Sequence, residues 1–276
     1  MSKFRNFVKS FFLLFKRKKI IPILQPESKE LLCGKTVVVI GGCGGIGLAI
    51  VKKMVKNGAY VIVTGQNQVK LDKVKKEFQE KIETVLFSLT DFSSYDDIIE
   101  KCSSFTGRVD VLVNSAGIHK MYKGFNYFSA SEEEYDEILE VNLKANFFLC
   151  QKFGKYFMNN KIKGHILIIS SQSALEPAWS PYRLSKNGLD SVIRGAAQQL
   201  IKYGIVVNGL GPGPTNTSMQ NYESCGTIYT EQNPIYRYTT IDEVAEFAVM
   251  LSSNLGDTIV GQTLYMSGGR GITEIR

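Results

Sequence analysis

One segment decides the fold of this chain of 276 residues: Thr36-Val-Val-Val-Ile40-Gly41-Gly-Cys-Gly-Gly45-Ile-Gly47. Its first five residues are apolar apart from one threonine, which predicts a strand covered on both faces. An amphipathic stretch over 46–57 predicts a helix directly after the glycines. Glycines suit this junction because the backbone must turn tightly there and leave room for a ligand. The free N–H groups and the dipole of the following helix then predict a pyrophosphate site.

Outward from this segment, apolar runs alternate with amphipathic stretches along the chain. The sequence predicts strands at 36–40, 60–64, 84–88, 109–113, 165–170, 205–210 and 263–266. Predicted helices between them include 46–57, 68–81, 132–150, 181–203 and 241–252. This alternation predicts a doubly wound, Rossmann-type α/β fold, with a parallel sheet of about seven strands and helices on both faces. We assign this single domain to residues 35–276.

Composition and charge exclude several classes of protein. The chain is 44% hydrophobic and 21% charged, which excludes disordered and collagen-like chains. Its net charge of +7 comes from seven basic residues that precede Glu27, in a region without acidic residues. The other 250 residues carry 26 basic and 26 acidic side chains, so the body gives no support for nucleic-acid binding.

Residues 1–34 are predicted to form a basic amphipathic segment followed by a linker. A basic run occupies 16–19, and the apolar residues before it share one helical face: Phe4, Phe7, Val8, Phe11, Leu14 and Phe15. This pattern suits a helix at 1–20 lying on an anionic membrane surface, a helix packing on a partner, or a disordered basic tail. We predict a cytoplasmic protein, either free or peripheral at the inner face of a membrane.

Cysteine and histidine positions give no sign of a metal site. The five cysteines are scattered without a CxxC pair, and His119 and His165 join no cluster. We therefore expect reduced thiols and no bound metal. His119 is interpreted as a loop histidine rather than a catalytic one.

The spacing Gly41-xxx-Gly45-x-Gly47 resembles the TGxxxGxG motif of the short-chain dehydrogenase/reductase family. Further segments resemble that family in the same order along about residues 35–270: Asn114-Ser-Ala-Gly117, Asn142 within Glu-Val-Asn-Leu, Ser170-Ser171, Tyr182-xxx-Lys186, and Pro212-Gly213 with Thr217. Each motif is short, but their order and spacing together are specific. The resemblance implies an NAD(P)-dependent oxidoreductase that acts on the CH–OH or carbonyl group of a small molecule. It also implies a homodimer or homotetramer assembled through helices 132–150 and 181–203.

Tyr182 and Lys186 are four positions apart, so they share one face of a predicted helix. An ammonium favours the phenolate and lowers the pKa of a tyrosine, which makes a general acid/base for an alcohol or carbonyl oxygen. The resemblance implies that Tyr182 transfers the proton and that Lys186 lowers its pKa and holds the nicotinamide ribose. It further implies that Ser171 binds the substrate oxygen, with Ser170 and Ser173 as alternatives.

The same resemblance implies a cofactor-binding set: Gly41, Gly45, Ile46, Gly47, Gly65, Gln66, Asn114, Ala116, Gly117, Tyr182, Lys186, Pro212, Gly213, Thr215 and Thr217. It also implies that Asn142 anchors a relay of water and lysine. An acidic residue that ends the second strand would select NAD, whereas a basic residue would select NADP. Here that position is Gly65, followed by Gln66, so the missing carboxylate slightly favours NADP over NAD.

Four positions on the cofactor side depart from the family pattern: Ile40, Ser88, Ser115 and Ser267. They keep an alternative open, a catalytically weak or inactive binding protein of this fold, attached to a membrane or a partner by its N-terminal helix. The complete set of Asn, Ser, Tyr and Lys favours the enzyme, because an inactive relative has no chemical reason to retain all four.

Overall fold

A seven-stranded parallel sheet organises the chain. The computed structural model describes residues 30–119, 127–217, 228–231 and 233–271. The strands are β1 (Thr36–Ile40), β2 (Tyr60–Gly65), β3 (Ile82–Leu86), β4 (Val111–Asn114), β5 (His165–Ile169), β6 (Val206–Pro212) and β7 (Thr263–Met266). They lie in the order β3-β2-β1-β4-β5-β6-β7, which confirms the predicted Rossmann-type sheet.

Helices cover both faces of this sheet. They are α1 (Gly45–Lys56), α2 (Gln68–Phe78), α3 (Tyr95–Ser104), α4 (Glu132–Leu139), α5 (Ala145–Asn159), α6 (Pro181–Leu200) and α7 (Ile241–Leu251). Alternate residues of β1 enter opposite cores: Val38 and Ile40 pack with α3, α5 and α6, while Val37 and Val39 pack with α1, α2 and α7. A strand buried on both faces has no solvated side, which explains its continuous apolar run.

Most elements differ from their predicted bounds by one to three residues, and two of the differences have a clear physical origin. The third strand begins at residue 82 rather than 84, because Ile82 pairs with Val61 of β2 and Glu83 and Thr84 belong to the pairing as well. As an edge strand it contains polar, partly exposed residues, so its apolar signal is weak. The predicted helix 132–150 divides into α4, a five-residue π-helical turn at Glu140–Lys144, and α5, which continues to residue 159.

The sheet places a crevice beside the end of β1. From β1 the chain moves to β2 and β3 on one side, then crosses to β4 on the other side of β1. Ligands of open α/β sheets bind at such a reversal, outside the carboxyl ends of the strands. The residues that follow β1, β4, β5 and β6 therefore meet at one edge of the sheet.

The predicted amphipathic helix at 1–20 lies outside the described residues. Among the residues that the structure does describe, no helix has the length and apolar character needed to cross a membrane.

Candidate active site

At Gly41 and Gly47 the glycine turn after β1 has no room for a larger residue. Gly41 has a φ of +78°, and a Cβ built on it would lie 2.8 Å from the backbone nitrogen of Ala116. A Cβ on Gly47 would lie 2.2 Å from the carbonyl oxygen of Gly41. These contacts bring the first turn of α1 directly against the end of β1, as the sequence pattern predicts.

The N-terminus of α1 is a suitable anion site. Its N-cap residue is Gly44, which has no side chain to cap the helix, and no acidic residue occupies the first turn. The first N–H groups of a helix have no partner within it, and the dipole places partial positive charge there. A Cβ on Gly44 would meet nothing within 4 Å, so the space before these N–H groups is open. The turn therefore fits the pyrophosphate of a dinucleotide.

A cleft of about 1230 Å³ runs from this turn across the ends of the strands. All but one of the implied cofactor residues line it: Gly41, Gly45, Ile46, Gly47, Gly65, Gln66, Ala116, Gly117, Tyr182, Lys186, Pro212, Gly213, Thr215 and Thr217. Asn114 is the exception, since it is buried behind the wall of the cleft. Its Oδ1 accepts from the backbone of Ala116 at 3.1 Å, and its Nδ2 donates to Asn146 at 2.7 Å. Asn114 thus shapes the wall instead of lining the cleft.

Helix α6 carries Tyr182 and Lys186 into the cleft. The helix begins at Pro181, and Ser180 caps it by accepting from the backbone of Arg183 at 3.3 Å. The ammonium of Lys186 lies 5.6 Å from the centre of the Tyr182 ring. Its Nζ donates to the carbonyl oxygen of Ile169, the last residue of β5, at 3.3 Å. The sheet edge and the first turns of α6 together fix the position of both groups.

The pKa of Tyr182 differs from the sequence-based expectation. Desolvation raises it, and a hydrogen bond with Ser171 opposes this rise. The lowering of this pKa by Lys186, which the sequence predicts, has no part in this balance: burial disfavours the charged phenolate and decides the direction. Burial lowers the pKa of Lys186 itself to about 8, although Asp190 opposes this. At neutral pH the pair is therefore a neutral phenol beside an ammonium.

Ser171 is the serine that contacts Tyr182. It follows β5, and its Oγ accepts from the backbone nitrogen of Ser173 at 3.1 Å, which orients the hydroxyl. The Oγ of Ser170 instead approaches the carboxylate of Asp190 at 3.5 Å. Of the three serines that the sequence left open, the structure brings Ser171 to the phenol.

Asn142 lies in the π-helical turn and is fully buried. Its side chain exchanges two hydrogen bonds of 2.9 Å with the backbone of Ile118 and donates to Ser185 at 3.3 Å. A Cβ on Gly117 would lie 3.2 Å from Asn142 and 3.8 Å from the Lys186 ammonium. Asn142 therefore does not line the cleft itself but lies next to Gly117, which does. Turns of π-helix occur often at functional sites.

His119, which is interpreted from the sequence as a loop histidine, also lies at this site. Its ring centre lies 4.2 Å from that of Tyr182, at an angle of 45°. Burial lowers the pKa of His119, and the nearby cations Lys186 and Arg183 lower it further. The imidazole is therefore neutral at neutral pH. The only available signal was its position five residues after the end of β4.

The far end of the cleft lacks a carboxylate where β2 ends. The described residues that line it there are Gly65, Gln66, Asn67 and Lys70. The amide of Gln66 donates to the hydroxyl of Ser88 at 3.2 Å. This end therefore presents amides and one ammonium to a ligand.

Comparisons with known proteins identify the family of this chain. The short chain dehydrogenase family model matches residues 35–226. Gluconate 5-dehydrogenase of Gluconobacter oxydans is 28% identical over 246 residues, which are 86% of this chain and 95% of that protein. The 3-oxoacyl-(acyl-carrier-protein) reductase FabG of Rickettsia bellii is 31% identical, over 86% of this chain and 97% of that one.

A solved structure shares the fold as well. A variant of ElxO with NADPH bound superposes with a TM-score of 0.77 and 25% identity, covering 85% of this chain and 98% of that one. The family match, these relatives and the seven-stranded sheet agree on one assignment. The chain belongs to the short-chain dehydrogenase/reductase family of oxidoreductases.

Proposed function

We propose that this protein is an NADP-dependent oxidoreductase that interconverts an alcohol and a carbonyl group. One observation carries the proposal: Tyr182, in contact with Ser171 and one helical turn from Lys186, shares a single cleft with the glycine turn and the uncapped N-terminus of α1. That cleft can hold a dinucleotide at one end and a small molecule at the other.

The chain's own residues carry out the proton transfer. A bound nicotinamide supplies or accepts the hydride at the carbon of the reacting group. In reduction, the substrate oxygen gains electron density, and the neutral phenol of Tyr182 donates its proton to that oxygen. Ser171 holds the same oxygen by a hydrogen bond. In oxidation the phenolate takes the proton back.

Lys186 stabilises the phenolate that remains after the proton leaves. An ammonium near a developing negative charge favours the charged form, most strongly in a desolvated site. Asn142 supports Lys186 indirectly. Its hydrogen bonds with the backbone of Ile118 fix the chain segment that lies next to the Lys186 ammonium. We propose that Lys186 also binds the nicotinamide ribose, as the family resemblance implies.

A titration with NADPH and with NADH, followed by nicotinamide fluorescence, is the direct test. We expect micromolar binding of NADPH and turnover in a screen of carbonyl compounds. A folded protein that binds neither nucleotide would favour the alternative, an inactive binding protein of this fold.

The choice of NADP rests on the far end of the cleft. No described residue that lines it there carries a carboxylate to repel a 2′-phosphate, and Lys70 adds a positive charge. ElxO, a relative of known structure, was solved with NADPH bound.

Replacing Lys70 with Met tests this choice. We expect NADPH affinity to fall by about fivefold, since a partly screened charge pair is worth about 1 kcal/mol. NADH affinity should stay unchanged because NADH lacks the 2′-phosphate. Lys73→Met on the exposed side of the same helix is the matched control. Equal losses for both nucleotides would contradict a contact with the 2′-phosphate.

We also propose that the protein is a homodimer or homotetramer. Helices α4, α5 and α6 enclose a groove of about 1420 Å³ whose lining includes Leu143, Phe147, Met158 and Val192. Phe147 is 51% exposed. An apolar face of this kind between long helices is suited to a second copy of the chain.

Gly195→Arg tests that assembly. A Cβ at Gly195 meets nothing within 4 Å, and the residue lines the groove, so an arginine there fits the monomer but obstructs a partner. We expect light scattering to show a smaller oligomer than wild type, with unchanged helix content. Gln198→Arg, on the exposed side of α6, is the control. An oligomer that survives Gly195→Arg would place the interface elsewhere.

The membrane contact of residues 1–20 and the cytoplasmic location stay predictions. The proposed substrate is a small alcohol or carbonyl compound.

A further inference from the structure

Two arginines meet one carboxylate at the end of the cleft that holds Tyr182. Arg183 follows Tyr182 on α6, while Arg270 comes from the segment after β7, and both line the cleft. Glu176 forms an ion pair with the Nη2 of Arg183, and its other oxygen lies 3.0 Å from the Nε of Arg270. One carboxylate therefore holds two guanidinium groups side by side.

These three side chains are mostly withdrawn from solvent. The exposed fractions are 12% for Glu176, 17% for Arg183 and 28% for Arg270. A guanidinium has five N–H donors. Among the described residues, Arg270 uses its Nε, and Arg183 uses its Nη2 and, toward the carbonyl of Pro177 at 3.5 Å, its Nη1. Both groups therefore retain donors for a ligand in the cleft.

The charges of this cluster do not cancel. Two guanidinium groups face one carboxylate, and the Lys186 ammonium adds a positive charge nearby. Burial lowers the pKa of Arg183, and Arg270 lowers it further while Glu176 opposes them. The acidic residues Glu137 and Glu140 line the same cleft, but Glu140 pairs with a lysine at 3.3 Å. An added anion between the arginines would relieve their repulsion.

Gln172 adds a hydrogen-bond acceptor to the same cleft. Gln172 lines the cleft and is 3% exposed, and its Oε1 has no hydrogen-bond partner within the described part of the chain. A buried polar atom without a partner is costly, and such atoms commonly mark places where a ligand or water binds. As an acceptor, it suits a substrate hydroxyl.

We propose that the substrate carries a carboxylate, which Arg183 and Arg270 bind while its carbonyl or alcohol group lies at Tyr182. The inference rests on the proposed function. Arginine is suited to carboxylates because its planar fork matches their two oxygens. Since Glu176 leaves a surplus of one positive charge, the cluster matches a monoanion better than a dianionic phosphate.

Trp179 provides a direct readout. It is the only tryptophan of the chain, and the Arg183 guanidinium stacks on its ring at 4.5 Å. A ligand that binds Arg183 should therefore change the tryptophan emission. The probes are 4-oxopentanoate, its neutral amide 4-oxopentanamide, and inorganic phosphate. Each is titrated into the full chain with and without saturating NADP⁺, because a ketone and an oxidised cofactor do not react.

We expect the acid to bind at least about tenfold more tightly than the amide, as the loss of a charge-assisted pair implies. In Arg270→Gln this ratio should fall towards one, whereas Lys202→Gln, the same charge change on an exposed residue, should keep it. Helix content and NADP⁺ affinity show whether each variant folds. Should Arg270→Gln fail to fold, Arg270→Lys, which keeps the charge but loses the fork, should show a smaller fall.

Three results would overturn the proposal. If wild type bound the acid and the amide with equal affinity, the cleft would have no site for a carboxylate. An unchanged ratio in Arg270→Gln would leave the arginine pair with the purely structural role of joining α6 to the C-terminal segment. If phosphate bound more tightly than the acid, the arginine pair would be a site for a phosphate group and not for a carboxylate. Failure of the proposed function is a separate result, since it appears as a loss of NADP⁺ and NADPH binding on the same samples.

Discussion

Tyr182→Phe should reduce kcat/KM for carbonyl reduction by about a thousandfold or more, because it removes the only proposed proton donor to the substrate oxygen. The loss should appear mainly in kcat. Binding of NADPH should stay within about twofold of wild type, since the phenyl ring keeps its packing against His119 and the glycine turn is untouched.

The measurement is a steady-state assay combined with the NADPH titration. Tyr156→Phe is the matched control: it also removes a phenol hydroxyl, one that accepts from the backbone of Val109 at 3.0 Å outside the cleft. That variant should lose some stability but little turnover. A Tyr182→Phe enzyme within about threefold of wild type would show that another group donates the proton.

Much of the fold could be predicted because its signals are local. The apolar run of β1 predicts a strand that is buried on both faces, as the structure shows. The glycines predict a tight turn, where a Cβ on Gly47 would collide with the backbone. The four-residue spacing of Tyr182 and Lys186 likewise defines a shared helical face in advance. The predicted bounds of the edge strand β3 are wrong by two residues, because a half-exposed strand contains both polar and apolar side chains and so gives a weak apolar signal.

The substrate end could not be predicted because its residues are remote in sequence. His119 and Glu176 come from two different loops and Arg270 from the segment after β7, and only the fold of the sheet brings them to one end of the cleft. An isolated arginine or histidine in a loop has no periodicity to reveal it. The contacts of His119 with Tyr182 and of Glu176 with both arginines are properties of the tertiary structure alone.

The roles of two correctly located residues also needed the structure. Asn114 has the amide expected near a cofactor, but its hydrogen bonds go to the wall of the cleft. Desolvation raises the pKa of Tyr182, and the hydrogen bond with Ser171 opposes this rise. A sequence shows neither the burial of the phenol nor which serine reaches it.

Gly47→Ala is expected to give the second large effect. Its new Cβ would lie 2.2 Å from the carbonyl oxygen and 2.9 Å from the carbonyl carbon of Gly41. Both atoms are backbone, so no side chain can rotate away, and α1 must move from the end of β1. We expect the free energy of unfolding to fall by about 1–3 kcal/mol, as for other overpacked sites.

Cofactor binding should suffer more than stability in Gly47→Ala. Displacing α1 moves the N–H groups that would hold the pyrophosphate, and several charge-assisted hydrogen bonds of about 1.5–3 kcal/mol each depend on them. NADPH affinity should therefore fall by about a hundredfold or more. Urea unfolding and NADPH titration measure the two effects. Gly44→Ala, where a Cβ meets nothing within 4 Å and the backbone is extended, is the control for stability. If Gly47→Ala bound NADPH like wild type, the helix N-terminus could not be the pyrophosphate site, because the clash leaves it no way to keep its present position.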